Sequence, residues 1–208
     1  MGAVVPLDRL LADRTVWRGN APPRTEAPAQ PTGFPALDAV LPFGGWPPAS
    51  LSEVLTACDG VGELSLLWPT LARLTAERRP VVVVGPPYLP YAPAWHLAGV
   101  ALDHVAVVRA DERGALWAAE QCLRSSACGA VLCWPTRATD QTLRRLQVAC
   151  ETGQALGFAF RPERVADNPS PAALRLRVQG RPRRVRVLKC RGANPPAHSI
   201  PLPPFALA

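Results

Sequence analysis

The fold is decided by a short run near the middle of the chain, Val81-Val82-Val83-Val84, which leads directly into Gly85-Pro86-Pro87. Four consecutive β-branched residues with no polar residue among them are typical of a strand that is covered on both faces. The glycine and the two prolines that follow end such a strand in a turn. The run therefore predicts a central strand of a buried sheet.

Strand-like and helical segments alternate on both sides of this run. Further strands are predicted at residues 51–56, 105–108, 130–134 and 158–160, and helices at residues 63–77, 111–126 and about 140–156. The first helix is recognised by Leu64, Leu67 and Leu71, which follow one another at spacings of three and four. Strands joined by helices of this length require parallel pairing and right-handed crossovers. The pattern therefore predicts a three-layer α/β fold with a mostly parallel central sheet.

Beyond Pro171 the pattern changes to strict alternation. Residues 174–178 and 184–187 flank Gln179-Gly180-Arg181-Pro182, a typical turn sequence, which predicts an antiparallel hairpin at one sheet edge. The surrounding segment, residues 161–191, carries ten basic and two acidic residues and accounts for the whole net charge of +7. Alternation places arginines together on one face of the hairpin. Solvation of this face and a polyanion site are equally open, and the candidate residues are Arg175, Arg177, Arg184, Arg186 and Lys189.

Two proline-rich ends flank a predicted core domain of residues 32–191. Residues 1–31 combine a short amphipathic segment with a proline-rich linker, and residues 192–208 are predicted to form an extended tail. Either end could dock on a partner, or the first segment could fold back while the tail stays disordered. The candidate partner-binding residues are Leu7, Leu10, Leu11, Trp17, Ile200, Leu202 and Phe205.

The composition excludes several classes of protein. No apolar run reaches the ~18 residues that a membrane span needs, and no leader opens the sequence, so we expect a cytoplasmic protein with no membrane contact. The six cysteines include no C-x-x-C pair, and none stands at zinc-finger spacing from a histidine. We therefore expect reduced thiols and no metal.

The turn after the first strand is the default anion site of such a sheet. Here it contains Asp59, Gly60, Gly62 and Glu63 and lacks the G-x-x-x-x-G-K-[ST] ending that binds nucleotide phosphates. Glu63 stands where a phosphate-neutralising lysine is expected, and a carboxylate repels a triphosphate. A later strand ends in Trp134-Pro135 instead of a magnesium-binding acid. We therefore expect a degenerate phosphate loop whose glycines only make the turn, no cofactor and no enzymatic activity.

Several blocks of this sequence resemble the ImuA family, whose members are associated with translesion DNA synthesis. The blocks are Gly62-Glu63-Leu64 and residues 86–93, 116–121, 129–135, 144–147, 157–162 and 169–176. Residues 32–55 also resemble the segment that leads into the phosphate loop of RecA-type recombinases. The resemblance spans about residues 7–191 and implies a RecA-like fold.

The resemblance also implies a function. It implies a DNA-damage-induced accessory protein that acts with the polymerase-like ImuB and an error-prone polymerase subunit of the replicative type. Direct contact with the DNA backbone and self-association stay open. Because ImuA is similar to SulA, the alternative is a cell-division inhibitor that binds FtsZ. A third reading, an active RecA-like ATPase, is weakened by Glu63 and Trp134.

Overall fold

The computed structural model describes residues 30–203 of the 208-residue chain. The predictions made at Leu7, Leu10, Leu11, Trp17 and Phe205 lie outside this range. The described chain begins beside the core, where Gln30 forms an isolated antiparallel bridge with Trp46.

A single eight-stranded sheet organises the described chain. Its strands are β1 (Leu51–Thr56), β2 (Val81–Val84), β3 (Val105–Val108), β4 (Ala130–Cys133), β5 (Leu156–Pro162), β6 (Leu174–Gly180), β7 (Arg183–Cys190) and β8 (Ile200–Pro201). Their spatial order is β3-β2-β4-β5-β1-β6-β7-β8. The first six strands pair in parallel, whereas β7 and β8 add to this sheet in antiparallel fashion. The predicted α/β fold with a mostly parallel sheet and a C-terminal antiparallel hairpin is confirmed.

Helices cover both faces of the sheet. They are α1 (Pro35–Asp38), α2 (Trp68–Ala76), α3 (Ala92–Leu97), α4 (Glu112–Arg124) and α5 (Asp140–Gly153). Side chains cap the N-termini of the two longest helices. Asp111 accepts the Gly114 N–H at 2.8 Å, and Thr139 accepts the Thr142 N–H at 3.3 Å. The predicted helix at residues 63–77 is shorter than expected: Leu64–Leu66 forms a 3-10 turn, and α2 begins only at Trp68.

The apolar side chains divide into two cores, one on each face of the sheet. Leu37, Trp46, Leu71 and Phe158 belong to the core beneath α1, α2 and α3. A smaller core lies beneath α4 and α5 and includes Leu123, Leu146 and Cys150. Successive valines of β2 point into opposite cores, and all four are buried. This explains why an uninterrupted apolar run was needed there.

The expectation of a solvent-facing Arg175 is wrong. Strand β6 is an interior strand, paired with β1 on one side and β7 on the other. Arg175 is only 6% exposed, and its Nε lies 2.6 Å from the carboxylate of Glu53. Its terminal nitrogens donate to the carbonyl oxygens of Val165, Ala166 and Asn168 at 2.8–2.9 Å. Because each of its three nitrogens donates to an acceptor inside the fold and the side chain is buried, Arg175 is not available to a polyanion.

The expectation of a free C-terminal tail is wrong for its described part. Ile200 pairs with Val185 of β7, and the Leu202 N–H donates to the Arg183 carbonyl at 3.1 Å. Both apolar side chains are buried, at 2% and 6% exposure. Ile200 and Leu202 therefore belong to the protein's own core and cannot be offered to a partner without opening it. The predicted hairpin lies next to the sheet edge, and β8 forms the edge itself.

Candidate functional site

The loops that follow β1, β2, β4 and β5 meet at the carboxyl edge of the parallel strands, where open α/β sheets bind their ligands. They enclose a cleft of about 400 Å³. The cleft is lined by Thr56, Ala57, Cys58, Asp59, Glu63, Tyr88, Trp134, Thr136, Phe160, Arg161, Pro162 and Arg164. Trp134, which replaces the acid expected after β4, stacks on Phe160 with ring centroids 4.7 Å apart. The floor of the cleft is thus aromatic.

The degenerate phosphate loop is closed by its own carboxylate. Oε1 of Glu63 accepts the Gly60 N–H at 3.0 Å, and the residue is only 7% exposed. Gly60 and Gly62 have φ values of +79° and +94°, a region that side chains with a Cβ rarely adopt. The Ser65 hydroxyl donates to the Gly62 carbonyl and accepts from Arg183 of β7. The backbone N–H that a phosphate would need at Gly60 is therefore already occupied by an anion.

A short 3-10 turn follows this loop directly. In a phosphate site the free N–H groups of the helix that follows the loop face the anion. Here Glu63 caps the 3-10 turn Leu64–Leu66, and α2 begins only at Trp68, with Pro69 as its second residue. The loop therefore carries a carboxylate at the helical end that a triphosphate would approach.

A second cavity of about 220 Å³ shares one wall with the cleft; we call it the aromatic cavity. Its lining residues are Asp59, Gly60, Glu63, Leu64, Trp68, Pro86, Pro87, Tyr88, Leu89, Pro90, Tyr91, Ala94, Trp95 and Trp134. Five of these are aromatic, two are acidic and none is basic. The second carboxylate oxygen of Glu63, Oε2, is buried and has no hydrogen-bond partner. The cavity thus combines apolar walls with negative charge.

The loop from Pro86 to Tyr91 carries the most exposed apolar side chains of the described chain; we call it the aromatic loop. Tyr88, Leu89 and Tyr91 are 73%, 68% and 71% exposed. Prolines fix the backbone between them, so little conformational entropy is lost when a partner binds. Exposed tyrosines with apolar neighbours are typical of protein interfaces. Residue-by-residue examination of the sequence missed this surface, although tyrosine repeated within a proline-rich block was an available signal.

The hairpin arginines separate into paired and free groups. Arg177 Nε lies 3.0 Å from Glu163 Oε1, although the two are not aligned as a hydrogen bond. The Lys189 ammonium donates to the Ser170 carbonyl at 2.7 Å, and partial burial, followed by the charge of Arg191, lowers the pKa of Lys189. Arg184 and Arg186 are exposed, and no acidic side chain within residues 30–203 pairs with them. They form the exposed basic pair of β7.

The cysteines are free thiols, and four of the six are buried. Burial raises the pKa of Cys133 to about 12 and raises that of Cys150 as well. Within the described range no three His, Cys, Asp or Glu side chains lie where they could hold a metal ion. None of the helices described is both long and apolar enough to cross a bilayer.

Comparison with solved structures shows similarity to a bacterial protein. No family model matches the chain, and no curated protein matches it. Among solved structures the chain is similar to the crystal structure of SulA from Pseudomonas aeruginosa, with 27% sequence identity and a TM-score of 0.45. The similarity covers 55% of this chain and 99% of that chain.

Proposed function

We propose that this chain is a non-catalytic accessory protein of error-prone translesion DNA synthesis, which acts by binding partner proteins. One observation carries the proposal: the edge of the sheet at which such folds bind nucleotide presents the closed Glu63 loop beside the exposed aromatic loop. A surface of this kind is suited to binding a protein and unsuited to binding a triphosphate. The proposed partners are an ImuB-like protein and an error-prone polymerase subunit.

Electrostatics support the absence of nucleotide chemistry. Phosphoryl transfer depends on cations that neutralise the transferred phosphate, usually a loop lysine and a magnesium ion held by a carboxylate. This chain offers Glu63 at the first position and Trp134 at the second. Repulsion between Glu63 and a triphosphate is weakly screened, because the carboxylate is buried.

The location of the aromatic loop supports the choice of partner. Residues 86–93 form one of the blocks that resemble the ImuA family, and the same block contains the exposed Tyr88, Leu89 and Tyr91. A core role does not explain these side chains, because they contribute most of their surface to solvent. A shared partner explains both the resemblance and the exposure.

A pull-down with the ImuB-like protein tests the proposal. We expect the wild type to retain this partner and the double variant Tyr88→Ser, Tyr91→Ser to retain it at least about tenfold more weakly, since exposed tyrosines are frequent hot spots. Trp117→Ser is the matched control, because Trp117 is also exposed, at 63%, but lies on α4. Equal retention by all three proteins would refute the role of the aromatic loop.

The same experiment is run with FtsZ and with a version of the chain that lacks residues 1–18. Retention of FtsZ alone would overturn the translesion role and assign the cell-division role instead. Loss of the ImuB-like partner on removal of residues 1–18 would place the contact at Leu7, Leu10, Leu11 and Trp17. Retention without those residues, together with loss in the tyrosine variant, would support the aromatic loop.

DNA contact through the exposed basic pair is a second part of the proposal. Arg184 and Arg186 lie on the same face of β7, and the neighbouring Arg177 and Lys189 are already engaged within the fold. Two free guanidinium groups on one strand can bind consecutive phosphates without reading the base sequence. The contact would help to hold the polymerase assembly on the lesion-containing strand.

A further inference from the structure

We propose that the aromatic cavity receives a cationic side chain, arginine or lysine, from the protein segment that docks on the aromatic loop. The inference rests on the proposed function and specifies the chemistry of its partner. The Glu63 carboxylate, which repels a phosphate, then accepts a hydrogen bond from this cationic side chain.

The first support for this proposal is the unsatisfied carboxylate. Glu63 Oε1 accepts the Gly60 N–H, whereas Oε2 is buried and has no hydrogen-bond partner. A buried acceptor without a donor is costly, and a charged one more so. The cost is removed when a guanidinium or ammonium N–H reaches it, because hydrogen bonds between charged groups are about twice as strong as neutral ones.

The second support is the composition of the cavity wall. The faces of tryptophan and tyrosine rings attract cations, and the cavity that Glu63 lines is also lined by Trp68, Tyr88, Tyr91, Trp95 and Trp134. Asp59 adds a further negative charge at the rim. Among the lining residues that the described chain supplies, none is a lysine, arginine or histidine.

The neighbouring cleft makes the location specific. It shares Asp59, Glu63, Tyr88 and Trp134 with the aromatic cavity but also contains the exposed Arg164. A cation is therefore favoured in the cavity and disfavoured at the far wall of the cleft. Arg161 does not change this, because its guanidinium is bound by Glu53 and by the carbonyls of Pro135 and Ala138. A partner segment that places a basic side chain in the aromatic cavity and an apolar side chain in the cleft fits both.

The direct test uses a small probe, so that it does not depend on the identity of the partner. N-acetyl-arginine-N-methylamide is titrated into the full chain, with the isosteric but neutral citrulline compound as its control. Binding is followed by NMR at the Gly60 amide, which bonds Glu63, and at the Trp134 indole. We expect saturable shifts at both positions and at least about tenfold tighter binding of the arginine compound.

A carboxylate variant tests whether Glu63 is the acceptor. Glu63→Gln keeps an oxygen for the Gly60 N–H but removes the charge, and it should abolish the preference for arginine over citrulline. Glu77→Gln, which removes an exposed carboxylate on the same side of the sheet, should leave the preference unchanged. Equal binding of the two compounds to the wild type, or an unchanged preference in Glu63→Gln, would overturn the inference.

The partner experiment separates this inference from the proposed function. If the wild type retains the ImuB-like protein and Glu63→Gln retains it equally, the function stands and the cation site is wrong. If the wild type does not retain the partner but selects arginine through Glu63, the cation site stands and the partner assignment is wrong. Binding of inorganic phosphate at the Gly60 amide in preference to the arginine compound would refute the cation site.

Discussion

At the scale of single residues, Glu53 is a buried carboxylate that pairs with two buried arginines. Its side chain is fully buried, and its two oxygens lie 2.7 Å from Arg161 and 2.6 Å from Arg175. The remaining guanidinium donors reach five backbone carbonyls in the loops after β4 and β5. One carboxylate thus joins three adjacent strands and two loops next to the cleft. The network is structural, because one buried carboxylate and five backbone carbonyls together hold both guanidinium groups inside the fold.

Removal of this carboxylate charge is predicted to destabilise the fold. Glu53→Gln leaves two buried guanidiniums without a counter-charge, and breaking buried pairs in this way typically costs about 3–5 kcal/mol. Urea denaturation should show that loss, whereas Glu77→Gln at a surface pair should change the free energy of unfolding by less than about 0.5 kcal/mol. A similar small change for both variants would show that the network does not stabilise the protein.

At the scale of elements, β7 and β8 determine what the C-terminal region can do. Strand β8 covers the outer edge of β7 and buries Ile200 against Val185. Arg183 reinforces this by donating to the Pro203 carbonyl at 2.6 Å. On the other hand, the alternation of β7 leaves Arg184 and Arg186 in solvent. The same strand therefore closes the core with one face and presents positive charge with the other.

Truncation of the β8 side chain is predicted to weaken the whole domain. Ile200→Ala removes fully packed methyl groups and should lower the free energy of unfolding by about 2–5 kcal/mol, as for other buried aliphatic residues. Pro203→Ala is the control, because Pro203 is exposed, and it should have little effect. If thermal denaturation found Ile200→Ala as stable as the wild type, β8 would not be a docked part of the sheet in solution.

Neutralisation of the exposed basic pair is predicted to weaken DNA binding. Each guanidinium that contacts a phosphate releases about one counterion. In the double variant Arg184→Gln, Arg186→Gln, the slope of log K against log salt concentration should therefore become less steep by about two. Fluorescence anisotropy with single-stranded and duplex oligonucleotides measures this. Arg78→Gln with Arg144→Gln removes the same charge elsewhere. Equal losses in both double variants would indicate a general effect of charge and no site on β7.

At the scale of the whole molecule, a mostly parallel α/β sheet presents exposed aromatic side chains at its carboxyl edge. Two further features lie at this edge: Glu63 closes the first loop, and Trp134 stacks over the floor of the cleft. The proline-rich loop after β2 then projects its tyrosines beside them.

The molecule as a whole is predicted not to bind Mg-ATP. Isothermal titration calorimetry should detect no saturable binding up to about 1 mM ATP. A Kd of about 1 mM corresponds to a binding free energy of only about 4 kcal/mol. Glu63→Lys should not create a site by itself, because Trp134 still stands where a magnesium-binding acid is expected after β4. Micromolar binding to the wild type that disappears in Gly62→Trp would contradict this prediction.

The sequence by itself determined the elements and their class. Strands β1 and β2 have the predicted bounds, and α4 and α5 begin directly after the capping residues Asp111 and Thr139. These features depend on contacts within a few residues, so a local pattern contains them. The missing phosphate-binding lysine was equally visible, because it is the identity of one residue.

Only the tertiary structure decided which polar side chains are free. Alternation places Arg175 and Arg177 on one face of β6, but it does not show what covers that face. The partner of Arg175 is Glu53, 122 residues earlier in the chain, and the partner of Ile200 is a strand that it meets in antiparallel register. The cavity around Glu63 likewise draws its walls from loops after three different strands. Such contacts depend on the packing of distant segments, which no local pattern of charge or hydrophobicity specifies.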